Sequence, residues 1–141
     1  MLKNRLTRLL LTLWLAAGLA AGAVLPVAAA KDARAQRFDV AVLAQADGSL
    51  LVTETVVFAY TGGPFTFVTR EIPTDRTDGI EIIEARMDGE LLPRGDQAGQ
   101  VEISGDDPVE VRWHFAPTSD AVHEFTLTDD VEYIKPKMRV Y

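Results

Sequence analysis

The sequence predicts an all-β fold, an antiparallel β-sandwich preceded by an N-terminal signal helix, and three observations carry that prediction. Beyond residue 30 the apolar residues recur at period two rather than 3.6. Turn formers rich in Gly, Pro, Asp and Ser separate the runs, and no later stretch shows helical spacing. The length suits one domain, with residues 1–30 as leader, 31–36 as linker and 37–141 as sandwich.

Lys3, Arg5 and Arg8 precede an uncharged stretch, residues 9–30, that opens at Leu9, is leucine-rich to Leu15, and then runs in Ala and Gly to Ala30. That order of basic then apolar regions is a secretory signal. Pro26 breaks a helix near its outer end, and Ala28-Ala29-Ala30 offers the small residues for cleavage before Lys31. Ala33-Arg34-Ala35 offers a second site, before Gln36. The alternative is an uncleaved anchor, since 22 uncharged residues at about 1.5 Å each span a hydrocarbon layer of about 30 Å. Either way the rest of the chain is expected outside the cytoplasm, extracellular or periplasmic, released or membrane-tethered.

The first strand is expected over residues 37–44, with Phe38, Val40 and Val42 on one face, before the turn Asp47-Gly48-Ser49. A second, over 50–60, puts Leu50, Val52, Val56, Phe58 and Tyr60 on one face with Glu54 as the only interruption. Thr61-Gly62-Gly63-Pro64 ends it, and a third strand over 65–72 stops at Pro73, which has no N–H for a ladder. Residues 74–79 read as a polar loop and 80–87 as a fourth strand. Asp88-Gly89 is a two-residue hairpin signal into 90–92.

After a loop over 93–99, a short strand over 101–104 turns at Gly105-Asp106-Asp107-Pro108 into 109–116, where Val109, Val111, Trp113 and Phe115 point inward. The last clear strand is 122–128, with Phe125 and Leu127 as core residues and Asp129-Asp130 as the turn that closes it. Seven or eight short strands at this spacing make a sandwich of immunoglobulin-like general architecture. The pattern halts at Arg139-Val140-Tyr141 like a strand cut short. A missing strand would leave an open sheet edge that invites pairing with another chain.

Twenty-one acids face 14 bases, for a net charge of −7. Loss of residues 1–30, with three bases and no acid, leaves 11 against 21, or −10. Such a domain is repelled by nucleic acid and anionic headgroups, so no nucleic-acid partner is expected. With no cysteine there is no disulfide, thiol nucleophile or cysteine zinc site.

The run from Asp47 to Thr55, Asp-Gly-Ser-Leu-Leu-Val-Thr-Glu-Thr, is followed by Gly62-Gly63-Pro64-Phe65 and Thr69-Arg70-Glu71-Ile72-Pro73. Together they resemble the N-terminal extracytoplasmic domain of bacterial predicted membrane proteins, domain-of-unknown-function family 2207. Val111-Arg112-Trp113-His114-Phe115 and Phe125-Thr126-Leu127 are similar to that domain's later strands. The resemblance covers residues 37–128. It implies a β-rich exported domain followed by a membrane helix, with no activity attached; no apolar run after residue 30 is long enough to be that helix.

Glu54 lies on the apolar face of its strand and Arg70 shares the alternation of Val68 and Ile72 on the next, so a structural ion pair between Glu54 and Arg70 is expected. A binding-site carboxylate with a raised pKa is the functional reading of Glu54. His114 and His123 resemble a metal pair across a hairpin. Parity turns His123 inward with Phe115 and His114 away, so no zinc is expected. Asp106-Asp107, Asp129-Asp130 and residues 75–78 are acidic clusters without calcium-loop spacing and read as solvated turns. No G-x-S-x-G elbow, P-loop or H-E-x-x-H occurs. The expectation is therefore a non-enzymatic interaction or sensing ectodomain, with no catalytic residue, cofactor or metal, whose partner is protein or envelope polymer. The alternatives are an envelope hydrolase acting on glycan or cell wall, which requires a concave acidic pocket, and a non-functional fragment of a longer membrane protein.

Overall fold

The computed structural model describes residues 30–134. The expectations for residues 1–29 and 135–141, signal helix included, lie outside the described residues. Those described form eight strands and no helix: β1 (Asp32–Ala44), β2 (Leu50–Thr61), β3 (Phe65–Ile72), β4 (Thr77–Met87), β5 (Glu90–Leu91), β6 (Gln100–Ser104), β7 (Val109–Thr118) and β8 (Val122–Ile134). They make two antiparallel sheets, one of five strands ordered β1-β2-β8-β4-β5 and one of three ordered β3-β7-β6.

Pleat parity decides what each sheet buries. On β2 and β8 the pairs Val52↔Asp129, Glu54↔Leu127 and Val56↔Phe125 face inward, and Thr53↔Thr128 and Thr55↔Thr126 face outward. The outward pairs join their hydroxyls at 3.3 and 3.2 Å. On the smaller sheet the inward pairs are Val68↔Trp113, Arg70↔Val111 and Ile72↔Val109. The two inner faces meet in a core of Tyr60, Ile82, Ala85, Val101, Val109, Val111, Trp113, Phe115, Phe125 and Leu127. Its centre is aromatic, with Phe125 5.9 Å from Trp113 and 5.8 Å from Phe115 between ring centroids.

These contacts fix which strands oppose each other. Trp113 and Phe115 against Phe125 put β7 over β8. Tyr60 against Phe65, 4.7 Å between centroids, puts β3 over β2. Nothing in the smaller sheet lies over β1.

The ends are held by turn chemistry. Asp88 and Gly89 both adopt positive φ, 51° and 83°, the conformation a two-residue β4–β5 hairpin requires. At the same end of the sandwich, across His123, Asp120 accepts a hydrogen bond from the Gly62 N–H at 2.8 Å. There a Cβ on Gly63 would sit 2.8 Å from the Thr118 carbonyl oxygen, so only glycine fits.

Several elements differ from the sequence reading, among them β7, which runs on to Thr118 through the expected connection. β1 begins at Asp32 and takes in most of the expected linker, because Ala33 and Ala35 pair with Tyr60 and Phe58 and a bulge at Gln36 restores phase before Phe38↔Val56. β4 begins at Thr77, inside the expected loop, paired with Ile134. Asp129-Asp130 is not a turn: β8 continues to Ile134 because β2 and β4 flank it and supply a ladder on both edges. β7 and β8 lie in opposite sheets, so their connection is a corner and not a hairpin.

Phe125 is buried amid aromatic rings, whereas Phe67 is 52% exposed on the outer face of β3. Phe125→Ala is expected to lower the free energy of unfolding by about 3–4 kcal/mol in urea titration, and Phe67→Ala by less than about 1 kcal/mol.

Candidate interaction site

The inner row of β1 is Phe38, Val40 and Val42, paired with Val56, Glu54 and Val52 of β2. Those β2 residues lie at least partly under the smaller sheet, but the β1 row does not. Phe38 is 56% exposed, Val40 50% and Val42 58%. A lone exposed apolar side chain is ordinary; three in register on the core-facing side of a sheet form a core surface without its cover. Among the described residues both neighbouring edges are also open, since β1 ends the larger sheet and β3 the smaller. Unpaired edge N–H and C=O groups are a template for another strand.

The upper end of this flank is closed by the chain itself. The Lys31 Nζ donates to the Pro64 carbonyl at 2.6 Å and stands 5.5 Å from the centroid of the Phe65 ring. On the outer face of β1, Arg37 pairs with Asp39 at 2.7 Å and with Glu124 at 2.8 Å, so its charges are met internally.

Behind the flank, in the seam between β2 and β3, the structure brings Glu54 and Arg70 together. Arg70 donates from Nε to one Glu54 oxygen at 2.8 Å and from Nη2 to the other at 2.9 Å, a bidentate fork. Its Nη1 donates to the Glu71 carbonyl at 2.6 Å. The hydrogen bond from Arg70 to Glu54 is the main reason the guanidinium is held more firmly protonated than usual, against the opposing effect of burial. The pair walls a cavity of about 90 Å³ that Val56, Phe58, Val68, Trp113 and Phe125 also line. The Trp113 indole N–H is buried there without a partner.

Asp129 was missed by the sequence reading because Asp129-Asp130 looked like a turn. The available signal was Val131, which continues the alternation Phe125, Leu127, Asp129 in the same phase. The side chain is 3% exposed. Burial, then the nearby Glu54 carboxylate, push its pKa up to about 6, with Arg70 pulling the other way. The seam thus holds two carboxylates and one guanidinium in apolar surroundings.

His123 lies inward, its ring 5.9 Å from Phe115 between centroids, with Nδ1 2.7 Å from Asp88 and Nε2 3.2 Å from the Thr118 hydroxyl. His114 lies outward, 3.1 Å from Glu102. The two histidines share no site. Among the described residues no group of three or more His, Asp or Glu is placed to hold a metal ion.

The opposite flank carries a broad open groove of about 1040 Å³ between β4 and β6. Its floor includes Ile80, Ile82, Val101 and Ile103, and Asp78, Glu81, Asp96, Glu102 and Asp106 stand along it. The one cation there among the described residues, Arg94, donates to the Ile82 carbonyl at 2.8 Å.

No family model, curated protein or solved structure matches this chain.

Two stability outcomes follow from the seam. An acid whose folded pKa is raised, from 3.8 to about 6 at Asp129, favours the folded state while protonated; that stability is present below pH 3.8 and is lost as pH rises through about 6. Asp129→Asn is therefore expected to raise the unfolding free energy at pH 8 by about 2 kcal/mol and to change it little at pH 4, in urea titrations at the two pH values. Glu54→Gln removes the counter-ion of a partly exposed guanidinium and is expected to cost about 1–2 kcal/mol at pH 7. Combining Glu54→Leu with Arg70→Met should recover most of that loss.

Proposed function

We propose that the chain is an exported, non-enzymatic interaction module, an immunoglobulin-like sandwich of the kind found as the ectodomain of family 2207 membrane proteins, that binds a polypeptide along its open flank. The uncovered row Phe38, Val40 and Val42, set between two open strand edges, carries this reading. A polypeptide in extended conformation supplies what the flank lacks: apolar side chains at every second position for the row and main-chain groups for the edges. The acidic balance and the leader supply the setting, an envelope partner rather than a nucleic acid.

The seam is too closed for catalysis on a polymer. Glu54 is engaged by Arg70 through both oxygens, and the adjoining cavity of about 90 Å³ holds a few waters at most. A second reading, a hydrolase acting on glycan, draws on the acidic groove between β4 and β6. It requires a pair of carboxylates acting across that groove; Glu81 and Glu102 alternate with the inward Ile80, Ile82, Val101 and Ile103 and point to the outer faces, which leaves Asp78, Asp96 and Asp106 among the lining acids.

A photo-crosslinking residue at position 40 is expected to form an adduct with one discrete polypeptide in intact cells, and the same residue at Ala41, one step along on the other face, to form none. Diffuse labelling, or equal labelling from both positions, speaks against the module. For the hydrolase reading, the chain should release reducing ends from cell-wall glycan. No release by the unaltered chain removes it.

A further inference from the structure

The offset between the sheets also specifies a partner. The larger sheet exceeds the smaller by one strand on the open flank, because β3 lies over β2 and nothing lies over β1. Among the described residues nothing lies beside β3 beneath the row Phe38, Val40 and Val42, which leaves room for one strand carrying an apolar row that faces upward. β1 of a second copy is such a strand. We propose that two copies of this chain associate about a two-fold axis parallel to the strands, β1 of each lying beside β3 of the other. This inference rests on the interaction-module reading and names its partner.

One operation satisfies both vacancies. Rotation by half a turn about that axis exchanges left with right and upper with lower sheet, so the overhanging β1 of one copy fills the recess of the other. The two rows Phe38, Val40 and Val42 then pack face to face. Each layer becomes a continuous sheet of eight strands, five from one copy and three from the other. The interface is isologous and closed, which limits assembly to the pair.

Strand direction agrees with this. β1 is antiparallel to β2. β3 also runs against β2, since Phe65 meets Tyr60 near the end of β2 and Arg70 meets Glu54 further back. β1 and β3 thus point the same way, and an axis parallel to the strands preserves direction, so β1 pairs with β3 of the other copy in parallel.

Size and charge agree as well. β1 and β3 contribute 13 and 8 residues, 21 in all, against roughly 20–30 a side in a standard-size interface. The chain as a whole is acidic, which opposes self-association. The strands that would meet are not: β1 balances Asp32 and Asp39 with Arg34 and Arg37, and β3 balances Glu71 with Arg70. The second copy would also close the β2–β3 seam from outside, where Arg70 now reaches solvent.

The chain lacks cysteine, so single introduced thiols report on the geometry. The axis leaves heights along the strands unchanged, and each Val40 therefore faces its symmetry mate across the axis. Full chain carrying Val40→Cys is expected to form an intermolecular disulfide under mild oxidation at micromolar concentration, and Ala41→Cys, on the opposite face of the same strand, is not. Sedimentation velocity should show a dimer that Val40→Lys shifts towards monomer by at least tenfold in dissociation constant, with an unchanged circular-dichroism spectrum. A monomer with a free thiol at position 40 overturns the dimer, and so does equal crosslinking from both positions. If the photo-adduct at position 40 contains a different polypeptide while the chain stays monomeric, the interaction module stands and self-association does not. If no adduct and no dimer form, both fail.

Discussion

Five strands lie on one side of this sandwich and three on the other, and most of what is unusual about the molecule depends on that inequality. A sheet gains stability by burying one face, and the smaller sheet is wide enough to cover β2, β8 and β4 only. The outermost strand, β1, is held by a full ladder to β2 and yet all thirteen of its residues remain exposed. Its hydrogen bonding is complete on one edge while its packing is missing, so β1 is a strand in geometry and a surface in energetics.

The same inequality sets the character of the seam. β2 is the last strand of the larger sheet with cover, and β3 is the strand that covers it, so Glu54 and Arg70 meet at the margin where the core gives way to solvent. At the centre of the core such a pair would carry the full desolvation penalty; at the margin Arg70 keeps part of its hydration and a third contact to the Glu71 carbonyl. Asp129 lies one cross-strand step further in and lacks that relief, which is why burial dominates its pKa. Two carboxylates and one guanidinium thus share a narrow apolar seam beside a cavity of about 90 Å³.

Much of this was legible in the sequence. The alternation in β2, β3, β7 and the first half of β8 gave their faces correctly, and with them the shared face of Glu54 and Arg70 and the inward turn of His123. The Asp88-Gly89 turn was legible because positive φ at both positions is a local property of those two residues. What failed was local chemistry overridden by neighbours. Asp129-Asp130 has turn composition, but a strand flanked on both edges keeps its extended form and carries an aspartate into the core. Residues 31–36 have no apolar pattern, but alanines at 33 and 35 fit over Tyr60 and Phe58 once a bulge absorbs one residue.

The sequence by itself determined the period of the apolar runs, the residues that share a face within them and local turns such as Asp88-Gly89, because pleat and turn geometry act over two to four residues. It did not determine which sheet each strand joins. The row Phe38, Val40 and Val42 reads in sequence as an ordinary core face, identical in pattern to that of β7. Only the tertiary structure shows that one row is covered and the other is not, because cover depends on the number of strands in the opposing sheet, a property of pairings between residues distant in the chain.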